Sequence, residues 1–321
     1  MNTFDFIKVK QRIWAKKRKI SLVNSKGNKG EPNCTQEYNY TQDIKENLYI
    51  PLSKESKEDF IKGNGNELKG KMRALHSSSA LIVNVFEFLK VSNQFDILAK
   101  SLKIPSIAIE SLSYEEKFKI ILNRFSPNEE KFKILSNRFS PNIDICFKYK
   151  DYITAIESKF TEPYQTSPQE KKDDQENQEE KDDQKEKESF PKEYLNNFSM
   201  WKEIPNINKL ADDIFKKNKE FKYADAPQLI KHILGLLSNK DGNKKKFRLV
   251  YLWYDGFEEE GYNHSCEIKE LRDIFKSDNI NFQSITWQEV IIKLFKSYDI
   301  KDVSKIYKAS EYKNYITERY L

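Results

Sequence analysis

Three features of the 321-residue sequence predict an α/β fold. Strand-like runs of period two alternate with helix-like runs of period 3.6 along the chain. Hydrophobic residues make up 38% and aromatic residues 13%, enough to fill a packed core. A block without any aliphatic or aromatic residue, QTSPQEKKDDQENQEEKDDQKEKES over 165–189, separates two such alternating stretches. It can bury nothing and reads as a solvated insertion.

The first strong element is SSSALIVNVFEFL, 77–89. Its serines can cap a helix, and Leu81, Val85, Phe88 and Leu89 recur at helical spacing, so a buried helix is expected. NIDICFKY and YITAIESKF then read as strands joined by a turn centred between Lys150 and Asp151. In the first, Ile143, Ile145 and Phe147 share a face opposite Asp144 and Cys146. In the second, Ile153, Ala155, Glu157 and Lys159 share a face opposite Thr154, Ile156, Ser158 and Phe160. Asp225-Ala226-Pro227 opens a helix through Leu237, with Asp225 as cap and the proline in the first turn, where its missing N–H does no harm. FRLVYLWY, 247–254, is a mostly buried strand ended by Asp255-Gly256. An amphipathic helix over 266–276 and a short strand, NFQSIT, follow. A last helix contains Ile291, Ile292 and Phe295 and is opened by a Thr286/Glu289 capping box.

Charge is unevenly shared. The 165–189 block carries four Asp, six Glu and five Lys, a net of −5, so the remainder of a chain with net charge +6 carries +11. Near the start, IKVKQRIWAKKRKI has seven Lys or Arg and no acid between Ile7 and Ile20. That composition suits a DNA-contacting arm, a solvated basic helix or a membrane-surface helix alike. Residues 115–128, EEKFKIILNRFSPN, are repeated as 129–142, EEKFKILSNRFSPN, with two differences. Two copies are too few for a solenoid, and the first is expected to be a tolerated loop insertion. Cys34, Cys146 and Cys266 are widely spaced and have no histidines at zinc-ligand spacing, which fits a reduced, cytoplasmic protein without structural zinc. No apolar run is long enough for a membrane span or a secretion signal.

The tripeptide Glu-Ser-Lys occurs twice, at 55–57 and 157–159. The first lies among polar residues in PLSKESKEDF, where charge is expected to be solvated. The second ends a strand. With the turn at 150/151, Asp144 and Glu157 stand directly opposite, their Cβ atoms about 5 Å apart. Two half-buried carboxylates at that distance repel, and a hard divalent cation such as Mg²⁺ is the natural species between them. Lys159 points into the same space, an arrangement suited to phosphodiester hydrolysis. Gln228 and His232 lie four apart on one face of the following helix. His76 and His264 have no ligand-spaced partners, and GNGNEL lacks the lysine of a phosphate-binding loop. Glu162, in FTEPY, follows the second strand and reads as either a supporting or a merely polar residue.

Asp144, then Glu157-x-Lys159 on the next strand, with Pro141-Asn142 just before, resembles the signature of the PD-(D/E)XK, or restriction-endonuclease-like, nucleases. FIKGNGNELKGKMRALHSSSALIVNVF, PNIDI, AIESKFTEPY, YADAPQLIKHILGL and LVYLWYD in that order resemble one subfamily of restriction endonucleases. The resemblance implies a central mixed β-sheet flanked by helices and cleavage of DNA dependent on Mg²⁺, with Mn²⁺ as substitute. It implies Asp144, Glu157 and the main-chain carbonyl of Ser158 as metal ligands, and Lys159 as the catalytic lysine. Gln228 and His232 resemble the glutamine-containing helix of RecB-type nucleases, with histidine in place of tyrosine. An acid on an early helix is also implied, Glu67 or Glu87, with Glu67 preferred. The proline departs from the pattern, because Asn142 and Ile143 separate it from Asp144. Expected partners are DNA, a cognate methyltransferase and a second copy of the chain, with no membrane. The alternative is a nuclease fold that only binds nucleic acid or a partner. The expected organisation is an N-terminal extension over 1–58, a nuclease-like domain over 59–300 interrupted by 165–189, and a C-terminal tail over 301–321.

Overall fold

The computed structural model describes residues 1–27, 38–63, 67–120, 140–165, 199–239, 243–296 and 303–321. Cys34, residues 64–66, repeat residues 121–139 and all of the acidic block except Gln165 lie outside the described residues.

Ten helices are described: α1 (Thr3–Lys17), α2 (Ile44–Asn47), α3 (Lys54–Lys62), α4 (Ser78–Val91), α5 (Phe95–Leu102), α6 (Pro205–Phe215), α7 (Ala226–Asn239), α8 (Glu258–Ser277), α9 (Trp287–Lys296) and α10 (Val303–Tyr320). A two-stranded ribbon joins β1 (Leu22–Val23) to β2 (Tyr40–Thr41). The central sheet runs β3 (Ser111–Lys117), β4 (Asn142–Lys148), β5 (Ile153–Lys159), β6 (Phe247–Trp253), β7 (Phe282–Thr286), in that spatial order. β3, β4 and β5 pair antiparallel, whereas β5, β6 and β7 pair parallel. The short turn after β4 permits only an antiparallel hairpin, while the helices between β5 and β6 supply the long crossover that a parallel pair needs. The result is the mixed, helix-flanked sheet of a restriction-endonuclease-like core.

Each face of the sheet buries its own hydrophobic cluster. Ile145, Phe147, Ile156, Val250 and Leu252 point toward α4, α5 and α9. Cys146, Ala155, Leu249 and Tyr251 point toward α6, α7 and α8. Ile143 departs from the expected alternation and packs in the second cluster with Phe118 and Ile120. The pairing of β4 with β5 runs only from Lys148↔Ile153 to Ile145↔Ile156, so the first residues of β4 are released from the ladder.

The expected extension and tail both contribute to the first cluster. Ile7, Trp14 and Ala15 of α1 and Tyr312, Tyr315, Ile316 and Tyr320 of α10 are buried there with the sheet residues. The apolar stripe on α1 is narrow, so basic residues dominate the composition of IKVKQRIWAKKRKI; Lys16, Lys17, Arg18 and Lys19 are exposed, whereas Lys8 is buried. No helix among the described residues is long and apolar enough to cross a membrane.

α4 is capped by Ser77, whose side chain accepts the Ala80 N–H at 3.2 Å, and Asp225 accepts the Gln228 N–H at 3.0 Å to open α7. α8 begins at Glu258, eight residues before the expected start, because its first turns bury only Gly261 and His264 and so lack an apolar signal. Thr286 accepts the Glu289 N–H at 3.1 Å, but the Glu289 carboxylate reaches Lys293 at 2.7 Å and Lys103 at 2.5 Å, which makes half of the expected capping box. The repeat copy expected to be a loop insertion supplies the last residues of β3, Glu115 to Lys117.

The first Glu-Ser-Lys is only partly surface. Glu55 and Lys57 are exposed, but Ser56 is buried and donates to Glu87 Oε2 at 2.8 Å while accepting from Lys90 Nζ at 2.8 Å. Ser56→Ala is expected to cost about 1–3 kcal/mol, the range for leaving buried polar partners short of a hydrogen bond. Glu55→Gln and Lys57→Ala should stay within about 0.5 kcal/mol of wild type. Urea denaturation of the three variants measures the contrast.

Candidate active site

The site forms where β4 and β5 part. Asp144 and Glu157 are the next facing pair after Ile145↔Ile156 in the β4–β5 register. The Ser158 N–H donates to Asp144 Oδ2 at 2.7 Å. In a strand the N–H and C=O of one residue point to the same side, so the Ser158 carbonyl faces the same gap as Asp144. The spread pair therefore leaves two carboxylates and one carbonyl oxygen around a common space.

α7 closes that space from the side. Gly235 permits this approach: a Cβ there would come within 3.0 Å of both Phe118 and Pro141. His232, buried on α7, donates from Nε2 to Glu157 Oε2 at 2.7 Å. Lys159 Nζ lies 2.8 Å from Glu157 Oε1 and donates to Gln228 Oε1 at 2.6 Å. The i, i+4 spacing of Gln228 and His232 thus grips the Glu157–Lys159 pair from one helix face.

Behind the pair, Tyr251 adjoins Glu157 in the β5–β6 register. His264 ties Tyr251 to Tyr164, with Nε2 3.1 Å from one hydroxyl and Nδ1 3.0 Å from the other. Because Tyr164 donates its proton to the Tyr254 carbonyl at 2.7 Å, it must accept from His264 Nδ1–H, and His264 Nε2 accepts from Tyr251. Burial, with Lys159 nearby, lowers His264 to about 3 and keeps it neutral, as this chain of bonds requires. Glu162 serves the turn after β5, its carboxylate accepting the Phe160 N–H at 2.8 Å.

Of the two candidate upstream acids, Glu67 and Glu87 point to different sides. Glu87 is fully buried under α3 and β3, accepting from Ser53 N–H, Ser56 and Tyr114 at 2.8, 2.8 and 3.1 Å. Glu67 lies on a 3₁₀ turn ahead of α4, accepts from Ser79 at 2.8 Å, and its charge reaches Glu115. Glu115, on β3, was not singled out by the sequence. It stands across from Asp144 and shares its field with Glu67, Glu157 and Asp144. Its backbone is left-handed, φ 50°, and Gly63 makes room for it: a Cβ on Gly63 would lie 2.5 Å from that of Glu115. Asn142 Nδ2 donates to the Gly63 carbonyl and, at 3.3 Å, to Glu115 Oε2.

The charges sort accordingly. Burial drives Asp144 well above the usual carboxylate range, helped by Glu157 and Glu115. Burial also pushes Glu157 up, but Lys159 and His232 outweigh it and hold the carboxyl at about 2. Burial opposes the Lys159 ammonium, yet Glu157, Asp225, Glu162 and Asp144 keep it well above the usual lysine range. Burial, then Glu67 and Glu157, raise Glu115 to about 7.

Glu115 provides a test of this crowding. Its folded-state value lies above the ordinary 4.5, so the folded protein binds its proton more tightly than the unfolded chain. Stability from this group is full below about pH 4.5 and is lost as pH rises through about 7. In metal-free buffer, Glu115→Gln should match wild type near pH 4.5 and exceed it by roughly 2–3 kcal/mol at pH 8, following the rule of 1.36 kcal/mol per pKa unit. Denaturant titrations at the two pH values decide it, and an equal difference at both would remove carboxylate repulsion as the cause.

Among the described residues, no group of three or more His, Cys, Asp or Glu side chains is placed to hold a metal ion. The set around the β4–β5 gap is of a different kind, two carboxylates with one main-chain oxygen. Each carboxylate oxygen has two lone pairs, so the bonds that Glu157 makes to His232 and Lys159 leave acceptor capacity on both oxygens. An excess of carboxylates over ammonium groups, with Asp144 and Glu115 both pushed toward protonation by burial and then by neighbouring carboxylates, suits a small divalent cation.

A central five-stranded mixed sheet flanked by helices is the framework of a restriction-endonuclease-like protein. Residues 12–321 match the family model described as Restriction Endonuclease associating with ARP, and the chain belongs to that family. No curated protein and no solved structure matches the chain.

Proposed function

We propose that the protein is a Mg²⁺-dependent endonuclease that hydrolyses phosphodiester bonds of DNA. The observation that carries this reading is the placement of the Lys159 ammonium 2.8 Å from Glu157 and 2.6 Å from Gln228, beside the gap that Asp144 faces. Asp144, Glu157 and the Ser158 carbonyl would hold Mg²⁺, with Mn²⁺ as substitute. When bound, the ion supplies Lewis-acid neutralisation of phosphate charge and lowers the pKa of a water.

The remaining work falls to the chain. His232 fixes one oxygen of Glu157, and Gln228 fixes Lys159, so neither charged group has to be oriented during the reaction. The Lys159 ammonium stays charged and stabilises the negative charge that develops on the scissile phosphate. Burial of the Glu157–His232 pair keeps the surrounding dielectric low and strengthens these interactions. Intact carboxylates in a chain whose remainder outside 165–189 carries +11 favour cleavage over binding alone. Association with ARP, which the family's description states, belongs to the same reading.

Supercoiled plasmid incubated with the purified protein should be nicked or linearised in Mg²⁺ or Mn²⁺ and left intact in EDTA. Cleavage undiminished by chelation would sink the metal-dependent mechanism. DNA binding in Ca²⁺ should weaken steeply between about 50 and 200 mM salt, since phosphate contacts release counterions. Binding insensitive to salt would argue against phosphate recognition.

A further inference from the structure

A cavity of about 820 Å³ lies apart from the Asp144–Glu157–Lys159 site, between α1, the segment around Tyr49 and one face of α10. Its size falls in the range of about 300–1,000 Å³ typical of ligand sites and exceeds what one side chain needs. Trp14, Tyr49, Phe88 and Tyr315 line it, with Trp14 and Tyr315 buried beneath Arg18 and Arg319 packed against the Trp14 ring at 4.1 Å. These rings form one packed group, with Tyr49 5.0 Å from Tyr315 and 5.6 Å from Phe88, and Trp14 5.4 Å from Tyr315.

The charged groups of the lining are Glu46, Glu311 and Glu318 against Arg18, a net of −2 on a chain of net +6. Phosphate is repelled by such a wall, and cations are drawn to it. The protein already shows which cation fits. The Arg18 guanidinium lies 5.0 Å from the Tyr315 ring centre and 5.5 Å from that of Trp14, and its Nη2 is 3.3 Å from Glu318 Oε2. Aromatic faces backed by a carboxylate are the chemistry that recognises guanidinium groups. Glu46 is occupied by the cap of α2, accepting the Gln42 and Asp43 N–H groups at 3.0 and 3.2 Å. Glu311 pairs with no cation among the described residues and sits close enough to Tyr49 to raise its hydroxyl pKa, after burial.

We propose that this cavity is a docking site for an arginine-bearing segment of a partner protein, whose guanidinium stacks on the Trp14–Tyr315–Tyr49 rings and pairs with Glu311 and Glu318. Arg18 holds part of that place in the free protein and yields it on binding. The surface shares no lining residue with the gap around Asp144, Glu157 and Lys159.

The probe is a fluorescein-labelled peptide, Gly-Leu-Arg-Leu-Arg-Gly, compared by anisotropy with its citrulline counterpart, which keeps the shape but not the charge. Wild type should bind the arginine peptide at least tenfold more tightly. Glu311→Gln with Glu318→Gln should weaken binding at least fivefold, whereas Arg18→Ala should tighten it severalfold by vacating the ring faces. All three positions are surface residues, and a thermal melt checks folding; plasmid cleavage by these variants should match wild type. Equal affinity for the two peptides, no binding of either, indifference to the double substitution, or displacement of the peptide by duplex DNA would each overturn the proposal.

Discussion

Glu157→Gln is expected to reduce Mg²⁺-dependent cleavage of plasmid DNA by at least about a hundredfold, the loss typical of removing one preorganised electrostatic group. The change preserves the shape of the side chain but leaves one acceptor oxygen where Glu157 offers two, so it cannot accept from both His232 and Lys159. It removes the charge that balances the buried ammonium and that would hold the cation. Asp144→Asn should fall as far, chiefly for the second reason, since Asp144 is the last of four carboxylates that support the ammonium. Both should bind DNA as well as wild type or better in Ca²⁺, because negative charge leaves a site that phosphate approaches. Lys159→Ala separates the roles: it should lose roughly a hundredfold in rate while leaving Mg²⁺ affinity, read by calorimetry, close to wild type. Wild-type cleavage by Glu157→Gln would show the assignment of the site to be wrong.

The largest stability effect is expected far from that gap, at Arg319. This guanidinium is fully buried on α10, and none of its bonding partners is a carboxylate. It donates to Gln11 Oε1 at 2.9 Å, to the Asn47 carbonyl at 2.8 Å, to the Tyr315 hydroxyl at 2.7 Å, to the Leu75 carbonyl at 3.3 Å and to Asn47 Oδ1. Trp14 covers it at 4.1 Å. One planar group thus satisfies acceptors from α1, α2 and the turn before α4. Arg319→Ala would leave those neutral acceptors dry and unpaired, and about 3–5 kcal/mol is expected, since each buried polar group left unsatisfied costs roughly 1–3 kcal/mol. Arg319→Lys should recover little, because an ammonium cannot reach acceptors spread around a plane. Urea unfolding measures both, and a loss below about 1 kcal/mol for Arg319→Ala would mean that water replaces the guanidinium.

The site and the terminal helices were legible to different degrees. A two-residue turn sets the register of its hairpin, so the facing of Asp144 and Glu157 follows from local sequence alone. Helical spacing likewise placed Gln228 and His232 on one face. Glu115 had no such signal: it sits in a charged edge strand, at the start of a repeat, and joins the acids only because β3 pairs with β4.

What the sequence determined by itself was therefore whatever its own periodicity encodes: the alternating strands, the capped helices α4 and α7, the α/β class and a family membership spanning residues 12–321. Tertiary structure alone decided that His232 bonds Glu157 while Gln228 bonds Lys159, that Glu115 joins the field of Glu67 and Asp144, and that both ends of the chain belong to the central core. Those outcomes depend on contacts between residues as distant as Gln11 and Arg319, and on the burial that such contacts create. No local pattern carries that information, because the same charged or aromatic residue is solvated or buried according to what the fold packs against it.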